Sequence, residues 1–360
     1  MAAKRTVHFV YATPYSLLDK ISMRLVKRKL VHPEWQEFDW PKPLKAPLSI
    51  TYQVAKRLAG KYRVKLYHLK ERIDLKPEQG DILLGHLWPD PDSVVFRSLD
   101  NPNFARKILI GPFNHDARQW SALRSSGRVR PFAGVPPDLW WSYDAMSRCD
   151  RYIAICGDHW FDTLDRSFLA PFRDKAVHVN MALDTADYPL VKQEFNPPGK
   201  RRFFYIGRHA PEKGADLLEE LAAAIPGFEG GYICPGKELA GWHRISPPRK
   251  LTPEFMQRVA AGYDIFINMS RADAQATTIL EAMSWGFPVA CTPESGYGKD
   301  DFFYLDLHDR AKNISTIEWI QQMDDGELRG MATRNRRAVS EKYGWDTFVE
   351  RVEEYMRVSE

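Results

Sequence analysis

The sequence predicts an α/β protein made of two doubly wound domains, each built on a parallel β-sheet. Short runs of β-branched and aromatic residues alternate with helical stretches. This alternation occurs twice, on either side of a segment rich in proline and glycine at 188–200. The 360 residues also suffice for two domains of ordinary size. We therefore expect an N-terminal domain at 1–188, a C-terminal domain at 189–340 and a closing helix at 341–360.

The individual elements follow from the same patterns. In the first half we predict strands at 7–12, 64–69, 81–85, 107–111, 151–155 and 176–180, with helices at 50–58 and 157–164. In the second half we predict strands at 202–206, 231–234, 264–268 and 287–291, with helices at 215–224, 253–261, 278–285, 316–323, 327–343 and 345–358. Strands separated by helices pair in parallel, so helices are expected on both faces of each sheet.

The composition excludes several classes of protein. With 44% hydrophobic and 27% charged residues, the chain is typical of globular proteins and not of disordered ones. No apolar run approaches the roughly 20 residues that a membrane crossing needs, and the start of the chain lacks the pattern of a secretory signal. The four cysteines have no Cys-x-x-Cys spacing. We expect them to be reduced, buried thiols in a cytosolic protein, without a zinc or disulfide framework.

Positive charge is concentrated near the start of the chain. The net charge is only +4, but residues 1–30 contain seven lysines and arginines against one acid. Within the insertion at 16–47, apolar residues of 16–30 share one predicted helix face with basic residues around it. This helix either packs on its own domain or lies on an anionic membrane surface. We expect no nucleic-acid partner, because no recognition motif accompanies the charge.

Two segments carry candidate binding residues. The strand at 202–206 ends at Gly207, and Arg208 and Lys213 follow in a loop, where two cations suit a diphosphate. A solvated loop gives the same pattern, so this segment alone leaves both interpretations open.

The second segment runs from the strand at 264–268 into a helix that should begin at Thr277 or Thr278. A helix start offers free N–H groups and a positive dipole end to a phosphate. Glu281, expected in the first helical turn, could accept hydrogen bonds from both ribose hydroxyls. Alternatively, Thr278 and Glu281 form a capping box, which only stabilises the start of the helix.

Taken together, the two segments resemble a known family. The runs FYIGRHAPEKG and DIFINMSRADAQATTILEAMSWGFPVACT are similar to the donor-binding half of retaining GT-B glycosyltransferases of the GT4 type (glycosyl transferases group 1). The matching positions are Gly207, Arg208, Lys213, Gly214, Asp273, Leu280, Glu281, Ala282, Met283, Gly286, Pro288 and Val289. The resemblance continues more faintly at 180–184, in the final helix, and at 107–116, which points to His115 as an active-site histidine.

The resemblance implies a GT-B fold, with two Rossmann-like domains facing a central cleft and the acceptor on the N-terminal domain. It implies that Arg208 and Lys213 neutralise the donor diphosphate and the charge that grows on it. Asp273 would hold hydroxyls of the transferred sugar, Glu281 would hold the ribose, and His115 would contact the sugar near its reacting carbon.

The resemblance also assigns the remaining donor contacts and the chemistry. Gly207 and the backbone amides of Thr277, Thr278 and Ile279 would approach the phosphates. The implied activity is a hexosyltransferase-like transfer, with retention, from a UDP- or GDP-linked sugar to a glycan or lipid-linked acceptor in cell-surface polysaccharide or glycolipid synthesis. Because cations neutralise the diphosphate, we expect no metal and no cofactor. The protein is expected in the cytoplasm, with the basic segment offering peripheral contact with the inner face of the membrane.

Two alternatives to the transferase remain to be weighed, and departures from the family pattern motivate the first. Asp273 stands where the family usually has glutamate, and Ala274 and Ala276 stand where glycine is frequent. These changes also fit a catalytically weak GT-B protein that acts as a binding or partner subunit. A nicotinamide-dependent oxidoreductase is disfavoured because no Gly-x-Gly-x-x-Gly follows the first strand.

Five tryptophans of the N-terminal half could stack on a sugar or serve in ordinary packing. They are Trp88, Trp120, Trp140, Trp141 and Trp160.

Overall fold

The predicted α/β architecture with two parallel sheets is confirmed. The computed structural model describes residues 4–13, 46–116, 129–234, 237–245 and 251–357. Within these ranges the chain forms two six-stranded sheets whose printed pairings are all parallel. The basic stretch at 16–30, nearly all of the insertion at 16–47 and Trp120 lie outside the described residues.

The N-terminal sheet has the strand order β2-β1-β3-β4-β5-β6. Its strands are β1 (Thr6–Tyr11), β2 (Arg63–His68), β3 (Asp81–His86), β4 (Phe104–Pro112), β5 (Arg151–Ile155) and β6 (Ala176–Val179). Its helices are α1 (Leu48–Leu58), α2 (Val94–Ser98), α3 (Trp140–Arg148) and α4 (Asp158–Asp162). The order reverses between β1 and β3, which makes the carboxyl ends of these two strands the switch point of this sheet.

The C-terminal sheet has the order β12-β11-β10-β7-β8-β9. Its strands are β7 (Phe203–Ile206), β8 (Gly230–Ile233), β9 (His243–Arg244), β10 (Ile265–Asn268), β11 (Val289–Cys291) and β12 (Phe303–Tyr304). The helices are α5 (Ala215–Ala224), α6 (Pro253–Gly262), α7 (Thr277–Trp285), α8 (Arg310–Gln322), α9 (Asp325–Lys342) and α10 (Trp345–Met356). Here the order reverses between β7 and β10.

Several predicted elements differ in extent from the observed ones. The helix expected at 316–323 begins six residues earlier, at Arg310, after Asp309 caps it by accepting a hydrogen bond from the Lys312 N–H at 2.9 Å. The strand expected at 287–291 starts only at Val289, because Pro288 has no N–H to donate to a ladder. The patterns did not indicate α2, α3, β9 and β12, which are short or half-buried.

The final helix α10 lies against α1 of the N-terminal domain. Its apolar face, formed by Phe348, Val349, Val352 and Met356, is buried. At the rim, Arg57 pairs with Asp346 at 2.7 Å and Lys61 pairs with Glu353 at 2.8 Å. The end of the chain thus joins the two domains mainly through apolar packing, since exposed ion pairs contribute little.

The segment between the sheets is attached to the end of α7. The Val191 and Lys192 N–H groups both donate to the Trp285 carbonyl, at 3.0 and 2.9 Å. The buried Lys192 ammonium pairs with the buried Asp264 carboxylate at 2.9 Å. Removing one partner of such a pair typically costs about 3–5 kcal/mol, because it leaves a buried charge uncompensated. We refer to residues 188–195 as the linker.

The four cysteines are buried and free. Among the described residues, no helix combines the length and the apolar character needed to cross a lipid bilayer.

Candidate functional site

The candidate site lies at the switch point of the C-terminal sheet. The loop after β7 carries Arg208 and Lys213, and the loop after β10 carries Asp273. Because β7 and β10 are neighbours in the sheet, their carboxyl ends place these two loops side by side. In open parallel sheets such a crevice is where ligands bind. We call residues 207–214 and 271–276 the loop pair.

The loop pair brings Lys213 and Asp273 into direct contact. The Lys213 ammonium is hydrogen bonded to the Asp273 carboxylate, and both side chains are about one-fifth exposed. The approach is close because Gly214, at φ +65°, lies against the Met269 carbonyl, where an added Cβ would come within 2.0 Å of the oxygen. The sequence predicted both residues at the site but not their mutual ion pair.

Arg208 extends into solvent beside this pair. Its side chain is 71% exposed and its guanidinium contacts the Glu212 carboxylate at 3.0 Å. Its neighbour Gly207 has no room for a side chain, because an added Cβ would lie 2.0 Å from the hydroxyl of buried Tyr205. That hydroxyl donates to the Arg208 carbonyl at 3.0 Å. Gly207 therefore accommodates Tyr205, whereas the sequence suggested close approach by a ligand.

The N-terminal domain holds the Asp273 loop from the other side. The Trp160 indole N–H donates to the Asp273 carbonyl at 2.6 Å, and the Gly157 N–H donates to the Ala274 carbonyl at 2.9 Å. The Met181 N–H donates to the Gln275 side-chain oxygen at 2.6 Å. Both domains therefore position the loop that carries Asp273. Nothing in the sequence singled out Gln275, and Trp160 was considered only for sugar stacking.

His115 reaches the same region through Trp160. Its ring centroid lies 5.1 Å from that of Trp160, and its Nε2 is hydrogen bonded to the Thr163 hydroxyl at 2.9 Å. Burial lowers the pKa of His115 below its usual 6.5, which outweighs the opposing effect of the Thr163 contact. The imidazole is therefore neutral at pH 7. The structure brings His115 to the domain junction next to the loop pair, with the Trp160 indole contacting both.

A further carboxylate in this region was not anticipated. Glu294 lies beside the loop pair, and its backbone carbonyl accepts a hydrogen bond from the Asp273 N–H at 2.9 Å. Its Oε2 is buried without a hydrogen-bond partner among the described residues. Burial raises the pKa of this carboxyl group. No motif in the sequence distinguished it from a surface glutamate.

The start of α7 corrects one prediction. The helix begins at Thr277, and its cap residue, Ala276, forms no side-chain capping bond. The capping box between Thr278 and Glu281 is therefore wrong, because Thr278 already lies inside the helix. Glu281 is the fifth helical residue and not a first-turn residue. Of the predicted phosphate donors, the Ile279 N–H is engaged with the Ala276 carbonyl at 3.1 Å.

Glu281 occupies a confined space apart from the loop pair. It is 4% exposed, and its Oε1 accepts a hydrogen bond from the Tyr188 hydroxyl at 3.4 Å. Burial, together with the nearby Glu281 charge, raises the pKa of Tyr188. The cavity here measures about 40 Å³ and is lined by residues including Thr277, Asp184, Tyr52 and Trp345. We call it the Glu281 cavity; it has room for a few water molecules and not for a ribose.

The two alanines that depart from the family pattern are both engaged in packing. Ala276 is buried, its N–H donates to the Ser295 carbonyl at 2.9 Å, and its carbonyl accepts from the Tyr297 hydroxyl at 3.0 Å. The Ala274 carbonyl accepts from Gly157, as described above. Their backbone groups therefore serve the contacts that hold this loop.

Two of the predicted tryptophan platforms are buried and therefore not available for stacking. Trp141 and Trp160 are buried, while Trp88 is 37% exposed at the carboxyl side of β3. The Trp140 indole N–H donates to the Val135 carbonyl at 2.9 Å. Within the described ranges, no group of three or more histidine, cysteine or acidic side chains is arranged to hold a metal ion.

Comparison with known proteins gives the same picture of the fold. No family model matches the sequence. The sulfoquinovosyl transferase SQD2 of Arabidopsis thaliana is 25% identical over 197 residues, which cover 50% of this chain and 35% of that protein. The chain thus spans about a third of the length of this curated relative.

Two solved glycosyl-transferring enzymes match over nearly their whole length. The catalytic domain of starch synthase IV from Arabidopsis thaliana, bound to ADP and acarbose, has a TM-score of 0.62 at 11% identity, and 99% of each chain is covered. Sucrose-phosphate synthase from Thermosynechococcus elongatus has a TM-score of 0.59 at 12% identity, and 98% of each chain is covered. At these identities the likeness concerns the fold alone. With two parallel sheets, a shared junction and this full-length match, the chain has the GT-B fold predicted from its sequence.

Proposed function

We propose that this protein is a glycosyltransferase that takes a sugar from a UDP- or GDP-linked donor. The observation that carries the proposal is the loop pair itself, where Lys213 contacts Asp273 and the exposed Arg208 lies on the same loop as Lys213, at the switch point of a GT-B fold. A diphosphate needs cations and hydrogen-bond donors, and a sugar needs carboxylate acceptors. The loop pair offers both. The sulfoquinovosyl transferase relative supports a sugar-transferring activity, and the starch synthase of the same fold was solved with a nucleoside diphosphate, ADP.

The cations act on the charge that appears as the glycosidic bond breaks. Negative charge then grows on the leaving diphosphate, and Lys213 and exposed Arg208 stabilise it more strongly than they stabilise the intact donor. The N–H groups of Thr277 and Thr278 add the positive end of α7. In this scheme a diphosphate replaces Asp273 as the partner of Lys213, and Asp273 turns to the hydroxyls of the transferred sugar. No metal and no cofactor take part.

The reaction's finer features belong to the proposal as well. We place the acceptor, a glycan or lipid-linked sugar, on the N-terminal domain, with His115 beside the reacting carbon and retention of configuration. Glu281 binds the ribose after Tyr188 moves, because the cavity of about 40 Å³ must widen first. The pathway is cell-surface polysaccharide or glycolipid synthesis in the cytoplasm, with the basic segment 16–30 contacting the inner face of the membrane.

A second candidate function has its own observations. Lys213 is already neutralised by Asp273, and Tyr188 occupies the space next to Glu281. Both features suit a GT-B protein that binds a partner or ligand without efficient turnover. The two candidates differ in whether any donor is consumed.

Nucleotide release from a panel of UDP- and GDP-linked sugars separates these candidates. We expect release from one donor by the wild type, with large losses in Arg208→Ala and Glu281→Ala. Lys312→Ala serves as a control, because this lysine forms a remote, exposed ion pair with Asp306. If no donor is consumed but UDP or GDP binds in calorimetry, the binding function replaces the transferase. If neither nucleotide binds, the donor site itself is refuted.

A further inference from the structure

A second cavity lies behind the linker, away from the loop pair. It measures about 500 Å³, is partly open to solvent, and is lined by Leu190, Lys192, Gln193 and Phe195 of the linker and by one face of α9. The α9 residues that line it stand at positions 329, 332, 333, 336, 337 and 340, a spacing that puts them on one side of a helix. This volume falls in the range of small-molecule sites. We call it the arginine cavity.

The arginine cavity carries positive charge without matching acids. Among the described residues, the Arg329 guanidinium has no hydrogen-bond or ion-pair partner, and Arg336 contacts only the Tyr188 carbonyl, at 3.1 Å. The other cations are compensated, since Arg337 pairs with Glu341 at 2.7 Å and Lys192 pairs with Asp264. Two arginines on one wall thus lack a counter-ion.

The environment of Arg336 adds to this imbalance. Burial lowers the pKa of Arg336, and no acidic group nearby offsets that effect. Desolvating a guanidinium is costly unless an anion accompanies it. An anion bound in the cavity would therefore supply the Arg336 guanidinium with the charged partner that it lacks.

The linker wall of the cavity carries two apolar side chains. Leu190, which is 46% exposed, and Phe195 face the cavity beside Lys192 and Gln193. On the α9 wall, Ser340 and Thr333 add hydroxyl groups, of which that of Thr333 already donates to the Arg329 carbonyl at 2.8 Å. An inorganic ion would leave this apolar surface uncovered. A phosphate that carries an organic group satisfies both walls, because the guanidinium fork matches phosphate oxygens.

We propose that the arginine cavity binds a phosphomonoester, with the phosphate on Arg329 and Arg336 and the organic part against Leu190. The site is distinct from the donor site proposed above. It lies at the C-terminal end of α7, where the linker is bonded to Trp285, while the loop pair lies beyond the other end, about 13 Å of helix away.

A short series of contacts nevertheless connects the two. Arg336 donates to the Tyr188 carbonyl, and the Tyr188 hydroxyl donates to Glu281. A phosphate that draws the Arg336 guanidinium to itself therefore acts on the residue that closes the Glu281 cavity.

The test is titration calorimetry with butyl phosphate, with butanol as the matched uncharged probe. We expect the wild type to bind the phosphate ester and not butanol. Arg329→Gln removes one charged contact, and Thr333→Glu places a negative charge beside the phosphate, so each should weaken binding about tenfold. Arg334→Gln is the control, because Arg334 lies on α9 outside the cavity and pairs with Asp301 at 2.7 Å. Arg336→Gln is less suitable alone, since it also removes the bond to Tyr188.

A second experiment distinguishes a free phosphate ester from a lipid headgroup as the ligand. Flotation with vesicles of phosphatidic acid in phosphatidylcholine presents the same group as a lipid headgroup. Binding of the soluble ester that depends on Arg329 identifies a free ligand, and Arg329-dependent flotation without soluble binding identifies the headgroup. If neither occurs, or if Arg334→Gln loses as much as Arg329→Gln, the proposal is wrong. The result is independent of donor turnover, so it stands or fails separately from the transferase activity.

Discussion

The loop pair and the Glu281 cavity are two parts of one predicted donor site, and they differ in accessibility. Lys213 and Asp273 are each about one-fifth exposed, whereas Glu281 is 4% exposed in a cavity of about 40 Å³. Both adjoin the first half of α7. The difference comes from the linker, because Tyr188 reaches over Glu281 while nothing comparable from the linker covers Lys213. A motif therefore identifies which residues belong to a site, while a segment outside the motif controls access to one of them.

The largest effect should follow from removing Lys213, the partly buried cation of the loop pair. Lys213→Ala should lower kcat/KM for donor hydrolysis or transfer about 10²–10³-fold, because a charge that stabilises the leaving diphosphate is lost. Steady-state nucleotide release measures this. The control Lys312→Ala should retain wild-type rates. Equal activity of Lys213→Ala and wild type would contradict a role of the loop pair in catalysis.

A smaller effect on donor binding is expected from substitutions in the Glu281 cavity. Glu281→Gln should weaken binding of the donor nucleotide about tenfold, through the loss of charged hydrogen bonds to ribose hydroxyls. Tyr188→Phe keeps the ring but removes the hydroxyl bonded to Glu281. It should leave affinity unchanged or raise it. Calorimetry with UDP and GDP tests both variants, and a loss in Tyr188→Phe equal to that in Glu281→Gln would show that their contact is structural.

The support given to the loop pair by the N-terminal domain should be weaker still. Trp160→Phe removes the indole N–H that donates to the Asp273 carbonyl at 2.6 Å. One such hydrogen bond contributes about 1 kcal/mol, so we expect roughly a fivefold loss in kcat/KM. Trp140→Phe is a matched control, since it loses an equivalent bond to the Val135 carbonyl elsewhere in the domain. If both variants lose activity equally, the effect reflects general stability.

Lowering the pH should destabilise the protein through His115, which lies beside the loop pair. The described lining of the Glu281 cavity contains no histidine, so we expect no such effect there. Burial lowers the pKa of His115 below 6.5 in the folded protein. Well above pH 6.5 the residue is neutral in both states, and its contribution to stability is constant. As the pH falls below 6.5, the unfolded chain binds a proton more readily than the folded one, so stability decreases.

Thermal unfolding between pH 7.5 and 5.5 checks this sign. The wild type should lose more stability over this interval than His115→Gln, which lacks the titrating group. A steeper decrease in the variant would show that His115 is protonated more readily in the folded state than in the unfolded state.

Much of the fold was predictable because it depends on local periodicity. The strands on which the loop pair depends, β7 and β10, were predicted within one residue at each end, since short buried parallel strands are continuously apolar. The position of Arg208, Lys213 and Asp273 after the ends of these strands followed from that. The start of α7 was less certain from sequence, because Thr277 and Thr278 are both acceptable at a helix start. The hydrogen-bond geometry makes Ala276 the cap residue.

By itself, the sequence determined the α/β class, the two sheets and the loops that carry the candidate residues. These features arise from spacing and residue type, which act over a few neighbours along the chain. Only the tertiary structure decided that Lys213 pairs with Asp273, that Trp160 joins His115 to the Asp273 loop, and that Tyr188 closes over Glu281. The Lys213–Asp273, Trp160–Asp273 and Tyr188–Glu281 contacts each join residues 60 or more positions apart. Such contacts depend on strand order and domain packing, and local periodicity carries no information about either.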